Sequence, residues 1–493
     1  MLRIAAWLIP LLLPLLAQAG IDELPDIGSS AGAIISPAEE YQLGRMIMRG
    51  LRDSDLVLDD PEVTEYVQAI GNNLASHAGI DGQSFQFFVV RDDGINAFAL
   101  PGGFIGINMG LILETRSESE LGGVLAHEIA HVTQKHIARQ IEAASNFGLV
   151  SAAATLAAVL VGVAVGSADV IQAGVAAGQS ASIQSRINFT RAHEYEADRV
   201  GIGILADAGY DPSGMVSFFE LMAQRARLSP SWLPELLRTH PVSSARITEA
   251  RNRAKNRPTA EQTISHRGYR LARARLVVLS AKTPAEALEH FRREADGREA
   301  EASEVTRYGL ALAYAHSGEY GPASEIFRSL RASNEEVTEY HIGLAQTLLW
   351  ARRDNEALEV YAEGHRLFPR NVSLTVRYAQ ALIQTGQPGP AHDLMLDLLN
   401  NINPSPTQVR LLAMAASASG NTGDSHYYMS EVHLLNGELQ LALDQLRLAL
   451  YTPEITAIQR ERYDARMREI REALDEQKKK RKRKPSDSEN FSG

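Results

Sequence analysis

Past residue 36 the apolar positions fall at helical spacing, broken once by a stretch of alternating pattern. Ser36-Pro37-Ala38-Glu39 reads as a capping box with proline at the first helical position, so a helix is predicted to about Arg52. Asp60-Pro61-Glu62 opens a second helix ending near Gly79. From Ser84 to Val90 the residues alternate as a strand does, with Phe85, Phe87 and Val89 opposite Gln86, Phe88 and Val90. Asp92-Asp93-Gly94 marks a turn. Asn96 to Leu100 and Phe104 to Asn108 are two further strands joined at Pro101-Gly102-Gly103. Ser117 with Glu120 caps a helix predicted to run through about Glu142. Arg191 to about Gly209 is helical, and more helices follow to about Arg257.

Beyond Arg267 the pattern is helical throughout, and it repeats. Ala311, Ala345, Ala379 and Ala413 are 34 residues apart, as are Ala323, Ala357 and Ala391, with Ser425 next in line. Gly318, Arg352, Gly386 and Gly420 share the period, and so do Phe327, Tyr361, Met395 and Met429. Paired helices at this period are the tetratricopeptide signature: small residues sit where helices cross closely, and large ones fill the gap between. Gly437 and Ala442 keep the same offset and suggest one more helix pair. Pro284 to Phe291 starts the array slightly out of phase. The predicted fold class is therefore α+β and mostly helical. A mixed unit with a small β-sheet spans 20–260, and an α-solenoid of repeats spans 267–474.

The two ends read differently. Arg3, the apolar run Ile4 to Leu16 and Ala17-Gln18-Ala19 form an export signal over 1–19, which is short for a membrane span; an uncleaved anchor is the alternative. Cleavage near Gly20 would place the chain in the periplasm. Residues 475–493 are basic, then Ser-rich, and are expected to be disordered. Between Ala143 and Ala168 there is no charge, and Ala, Val, Gly and Leu dominate. A buried or site-covering helical hairpin is one reading; a peripheral membrane contact or a membrane span is the other.

Composition narrows the chemistry. The 493 residues are 45% hydrophobic and 22% charged, which suits globular folding. The net charge is −11, although Lys478 to Lys484 alone carries +7 and leaves −18 for the rest. So acidic a body is a poor general binder of nucleic acid, and none is expected as a partner. The chain has no cysteine, which excludes a thiol nucleophile, thiolate metal ligands and disulfides. Any metal must be held by His, Asp or Glu.

Such a site is legible at His127-Glu128-Ile129-Ala130-His131. Two histidines four apart share one helix face and can reach one ion, and neutral imidazole suits Zn²⁺. Glu128 lies beside the first ligand, placed to take a proton from an attacking water and pass it to the leaving amine. A catalytic zinc needs a third protein ligand. The best carboxylate is in Arg191-Ala192-His193-Glu194-Tyr195-Glu196-Ala197-Asp198, where Glu194 and Asp198 share a face. Glu194 is the expected third ligand, and Asp198 orients a ligand histidine. His193 is a competing ligand, Glu196 is read as a solvated charge, and His136 as a helix-surface residue or one behind the ligands. The strand Asn96, Ala97, Phe98, Ala99 is read either as an exposed edge, to which an extended peptide adds, or as an ordinary hairpin strand.

Asn96-Ala97-Phe98-Ala99-Leu100-Pro101-Gly102-Gly103, the His127 to His131 motif, Glu194-Tyr195-Glu196-Ala197-Asp198 and Thr239-His240-Pro241 with Arg246 stand in that order. Together they resemble the gluzincin peptidases of the HtpX and Oma type. With the signal and the repeats, the chain is similar to the β-barrel assembly-enhancing group of Gram-negative bacteria. The resemblance implies one Zn²⁺ per chain on His127, His131 and Glu194, with Glu128 as base. It implies that His240 is a fourth ligand holding the enzyme off. It also implies unfolded or misassembled outer-membrane proteins as substrates, and docking to the β-barrel assembly machinery through the repeats. Arg246 either contacts substrate carbonyls or pins its own loop. A competing function is a mainly non-proteolytic binding and assembly factor.

Overall fold

The computed structural model describes residues 36–80, 83–143, 191–228, 234–257, 266–298, 302–453 and 455–483. The expected signal and the uncharged stretch 144–168 lie outside them. Among the described residues, no helix is long and apolar enough to cross a membrane.

Helix α1 (Pro37–Asp53) begins at the expected capping box, with the Ser36 hydroxyl accepting from the Glu39 N–H. Helix α2 (Pro61–Ser76) is capped by Asp60. Strands β1 (Gln86–Val90), β2 (Ala97–Leu100) and β3 (Phe104–Asn108) form one sheet in the order β1-β3-β2. β1 runs parallel to β3, and β2 antiparallel to it. Both faces of the sheet are covered. Phe87, Val89, Ala97, Ala99, Ile105 and Ile107 face the main core, while Phe88, Val90, Phe98, Leu100 and Phe104 pack beneath Ile47, Met48 and Leu51 of α1. Period-two alternation therefore divides these strands between two apolar layers rather than between core and water.

Helix α3 (Met109–Glu114) leads into α4 (Glu118–Thr133), which carries the metal-binding motif. The helix expected through Glu142 breaks after Thr133. Lys135 takes φ +52°, and α5 (His136–Ala143) restarts in a new direction. A left-handed lysine costs about 1–2 kcal/mol; buried contacts made by His136 offset it, as described below. Helices α6 (Arg191–Asp207), α7 (Ser213–Leu228), α8 (Glu235–Thr239) and α9 (Ser244–Lys255) complete this unit.

Helix α10 (Arg267–Ser280) serves two cores. Tyr269 and Leu276 belong to the core of the N-terminal unit, and Tyr269 Oη donates to the Thr115 carbonyl at 2.7 Å. Leu271, Ala274 and Val278 face the repeats. The pairing starts with α10 and α11 (Pro284–Glu294), and the helices from α12 (Glu304–His316) onward continue it to α20 (Leu439–Tyr451) and α21 (Ala457–Arg483). Ala311, Ala345, Ala379, Ala323, Ala357 and Ala391 are all fully buried at the helix crossings, with Phe327, Tyr361 and Met395 filling the gaps between. The last helix runs on to Arg483, past the expected boundary at 475, and residues 484–493 of the expected tail lie outside the described ones. Lys, Arg and Glu are good helix formers, and cations suit a helix C-terminus.

The register Gly318, Arg352, Gly386 and Gly420 is the left-handed residue between paired helices, at φ +80°, +60°, +80° and +84°. Arg352 has a Cβ where its counterparts have none. Arg352→Gly is therefore expected to stabilise the protein by about 1 kcal/mol, seen as a higher denaturant midpoint. A lower midpoint would mean that the arginine side chain contributes more than its backbone costs.

The repeats curve back onto the N-terminal unit. Arg275 and Arg377 both grip Asp60 and Glu62 at the start of α2, at 2.7–3.1 Å. Glu65 accepts from the Val372 and Ser373 N–H groups at 3.1 and 3.0 Å, supplying an anion to the N-terminus of α16 (Val372–Gln384). Further along, Arg45 donates to the Leu434 carbonyl at 2.8 Å.

Candidate metal centre

Helix α4 is buried along nearly its whole length, so its polar residues must find partners inside. His127 and His131, one turn apart, turn their Nε2 atoms to within 3.0 Å of each other. Glu194 reaches them from α6, its oxygens 3.6 Å from His127 Nε2 and 3.5 Å from His131 Nε2. His240, the residue ending α8, brings its Nδ1 to 3.0 Å from Glu194 Oε1 and 3.4 Å from His127 Nε2. All four residues are buried, and their ligand atoms lie within 4.8 Å of one another. Three imidazoles and a carboxylate converging in a dry interior are a donor set for a divalent metal.

Glu128 is fully buried, and neither of its carboxylate oxygens has a hydrogen-bond partner among the described residues. His240 Nε2 lies 3.6 Å from Glu128 Oε1. A buried, unsatisfied carboxylate is costly, and sites that tolerate one are commonly functional.

Two arginine-clamped carboxylates stand behind the histidines. Asp198 Oδ1 lies 3.1 Å from His127 Nδ1, the nitrogen turned away from the cluster. Asp198 is held in turn by Arg246, whose Nε and one terminal nitrogen each donate at 2.7 Å. Arg246 also pairs with Glu194 at 2.7 Å, donates to the Pro241 carbonyl at 2.8 Å and lies over the Phe219 ring. It is only 3% exposed, so its guanidinium fastens the loop after His240 to α6. The second carboxylate is Glu196. It accepts from Arg139 at 2.6 Å and lies 3.1 Å from His136 Nε2. His136 is fully buried and places its Nδ1 2.8 Å from His131 Nδ1. Glu196 is thus partnered rather than solvated. His193 stacks on His136 at 4.4 Å instead of joining the cluster.

The electrostatics agree with a cation-binding centre. Burial opposes ionisation of Glu194 and Asp198, but His240 and His127 for the first, and Arg246 and His127 for the second, hold both carboxyls below the usual carboxylate range. Burial also opposes charging of His127, yet Asp198 and Glu194 outweigh it and push that imidazole up to about 10. Burial and the neighbouring His127 drive His131 well below its ordinary value, which keeps a lone pair free. A metal ion and a proton therefore compete for this centre.

Strand β2 is the outer strand of the sheet and is hydrogen-bonded only to β3 among the described residues. Ala97, Phe98 and Ala99 have buried side chains, and α4 packs against this strand. Asn96 is 1% exposed, and its carboxamide has no partner among the described residues. The Leu236 N–H, in the turn leading to His240, donates to the Ile95 carbonyl at 3.2 Å.

Of the two readings open for His136, the place behind the ligands is the one its contact with His131 fits; the pairing of Glu196 with His136 and Arg139 was missed. The motif Lys135-His136 carried no break signal, because neither Gly nor Pro stands there. The one available hint was a third histidine five residues past His131.

The profile of peptidase family M48 matches residues 61–254. The beta-barrel assembly-enhancing protease of Escherichia coli (strain K12) is 32% identical over 471 residues, covering 95% of this chain and 95% of that protein. The protein of the same name from Yersinia pestis is 31% identical, covering 91% of this chain and 92% of its own length. Metalloprotease LoiP of Escherichia coli is 29% identical over 191 residues, covering 39% of this chain and 69% of that protein. Similarity at this level, running through both the metal centre and the repeats, makes the chain an M48 metalloendopeptidase of the beta-barrel assembly-enhancing protease family.

Proposed function

We propose that the protein is a periplasmic zinc endopeptidase that removes misfolded or stalled outer-membrane proteins and docks to the β-barrel assembly machinery through its repeats. The observation that carries the catalytic part is the four-residue cluster beside the buried Glu128, whose oxygens accept no hydrogen bond among the described residues. Zinc bonds to nitrogen and oxygen of about 2.0–2.1 Å in a tetrahedron put ligand atoms about 3.3 Å apart. The separations of 3.0–3.6 Å from His127 and Glu194 to the other ligand atoms are close to that figure, and all four lie within 4.8 Å. The role in barrel assembly and the periplasmic location are supported by the names of the full-length relatives.

In this reading His127, His131 and Glu194 hold one Zn²⁺. A zinc ion there supplies Lewis acidity toward a peptide carbonyl and lowers the pKa of the attacking water. Glu128 accepts the proton of that water and delivers it to the departing amide nitrogen. Asp198 fixes the His127 ring and keeps its proton on Nδ1. Asn96 and the outer edge of β2 at Ala97, Phe98 and Ala99 receive an extended chain through main-chain hydrogen bonds, which favours unfolded segments over any one side chain.

His240 is the regulatory fourth ligand. It fills the position a water needs and stands against Glu128, so the enzyme is held off until the loop after α8 moves. His240→Ala is expected to raise cleavage of an unfolded substrate about tenfold or more, since each 1.4 kcal/mol of preference for the closed state is a factor of ten. Zinc content should stay at one per chain. Unchanged or reduced cleavage by a fully zinc-loaded variant would remove the switch.

A further inference from the structure

We propose that His136 is a positioning residue for the metal ligand His131, setting its tautomer and ring angle through a relay that ends on Glu196 and Arg139. The inference rests on the metal-binding reading above.

The proton positions follow from the distances. His131 Nε2 faces the ligand cluster and must present a lone pair there, so the proton of the neutral ring sits on Nδ1. That Nδ1 lies 2.8 Å from His136 Nδ1, a separation at which one nitrogen donates and the other accepts. His131 therefore donates and His136 accepts. The proton of His136 is then on Nε2, which donates to Glu196 Oε2 at 3.1 Å. Arg139 donates to the same oxygen at 2.6 Å and holds it ionised and in place. His193, stacked within 15° of parallel, fixes the plane of the His136 ring.

The arrangement repeats, with one insertion, what stands behind the other ligand. His127 is backed directly by Asp198, which Arg246 clamps. His131 is backed by Glu196, which Arg139 clamps, with His136 between. The insertion has a geometric cause. Glu196 is two residues from both Glu194 and Asp198 on α6, hence turned about 200° from their face. It cannot reach His131 itself, and an imidazole spans the gap. On an unbroken helix His136 would be about 140° around from His131. The left-handed Lys135 swings it back.

The test is Zn²⁺ affinity of the full-length protein, measured by competition with a chromophoric chelator, together with the visible spectrum of the Co²⁺-substituted form. His136→Phe keeps the ring bulk but has no acceptor, and should weaken affinity about 10–100-fold and shift the Co²⁺ bands. His136→Asn places a carbonyl oxygen near the former Nδ1 and should recover most of the loss, which a purely structural role would not predict. Glu196→Gln should weaken binding to a smaller extent, and should add nothing in the His136→Phe background. A folded His136→Phe protein with affinity within twofold of the unmodified chain would overturn the relay. Should that variant not fold, Glu196→Gln decides at a partly exposed position, and unchanged affinity there overturns the relay equally. His131→Ala separates the two readings. If it loses Zn²⁺ while His136→Phe does not, only the relay fails; if it binds as before, the metal assignment itself falls.

Discussion

Glu128→Gln is expected to lower kcat/KM on an unfolded protein substrate by about 10²–10⁴-fold, the span that a positioned general base supplies. Metal content should not change, because Glu128 lies outside the ligand group His127, His131, Glu194 and His240. Stability should hold or rise. The carboxylate is fully buried with neither oxygen hydrogen-bonded among the described residues, so replacing it with a neutral amide removes a desolvation cost and gives up only the 3.6 Å approach of His240. An inactive variant that is better folded than its parent would be the signature of a residue retained for chemistry. Retained cleavage with full metal content would remove Glu128 as the base. The same variant divides peptidase from binding factor. If it restores envelope assembly in cells lacking the protein, docking through the repeats carries most of the function.

The second large effect is expected at Arg246. Its guanidinium is shared between Asp198 and Glu194 in a site closed to solvent. Arg246→Ala strands two buried carboxylates, and breaking a buried pair in this way costs about 3–5 kcal/mol. It also frees Asp198 from His127 and the loop after His240 from α6, so Zn²⁺ affinity should fall about 10–100-fold. Arg246→Lys should recover little, because one ammonium cannot make the paired bonds to Asp198. Denaturant unfolding followed by a metal assay reads both effects. The competing role, contact with substrate carbonyls, predicts a different result: unchanged stability and metal affinity, with a raised KM alone.

The parts of the protein legible in its residues were those set by short-range rules. Ser36 with Glu39 declared a helix start, and the structure has the capping box there. The spacing of His127 and His131 put two imidazoles on one face, whatever the surroundings. Glu194 and Asp198 followed by the same rule. The 34-residue recurrence announced its own turn, since only a left-handed residue closes each helix at Gly318, Gly386 and Gly420.

Contacts between residues distant in the chain had no local signal, and His240 was expected beside the other ligands only through the resemblance. His240 meets His127 across 113 residues, Arg246 meets Asp198 across 48, and Arg377 meets Asp60 across 317. No local pattern encodes such pairings; packing of α4, α6 and α8 around one core decides them. The break at Lys135 belongs to the same class. Local propensity favours a continuous helix there, and the alternative wins through the partners that His136 finds on His131 and Glu196. By itself, then, the sequence determined which candidate side chains share a helix face and where the helices begin, because those are properties of a few adjacent residues. Only the tertiary structure decided how the ligands are oriented, what stands against Glu128, and that Arg246 is a buried clamp, because burial and charge pairing arise when separate segments exclude water between them.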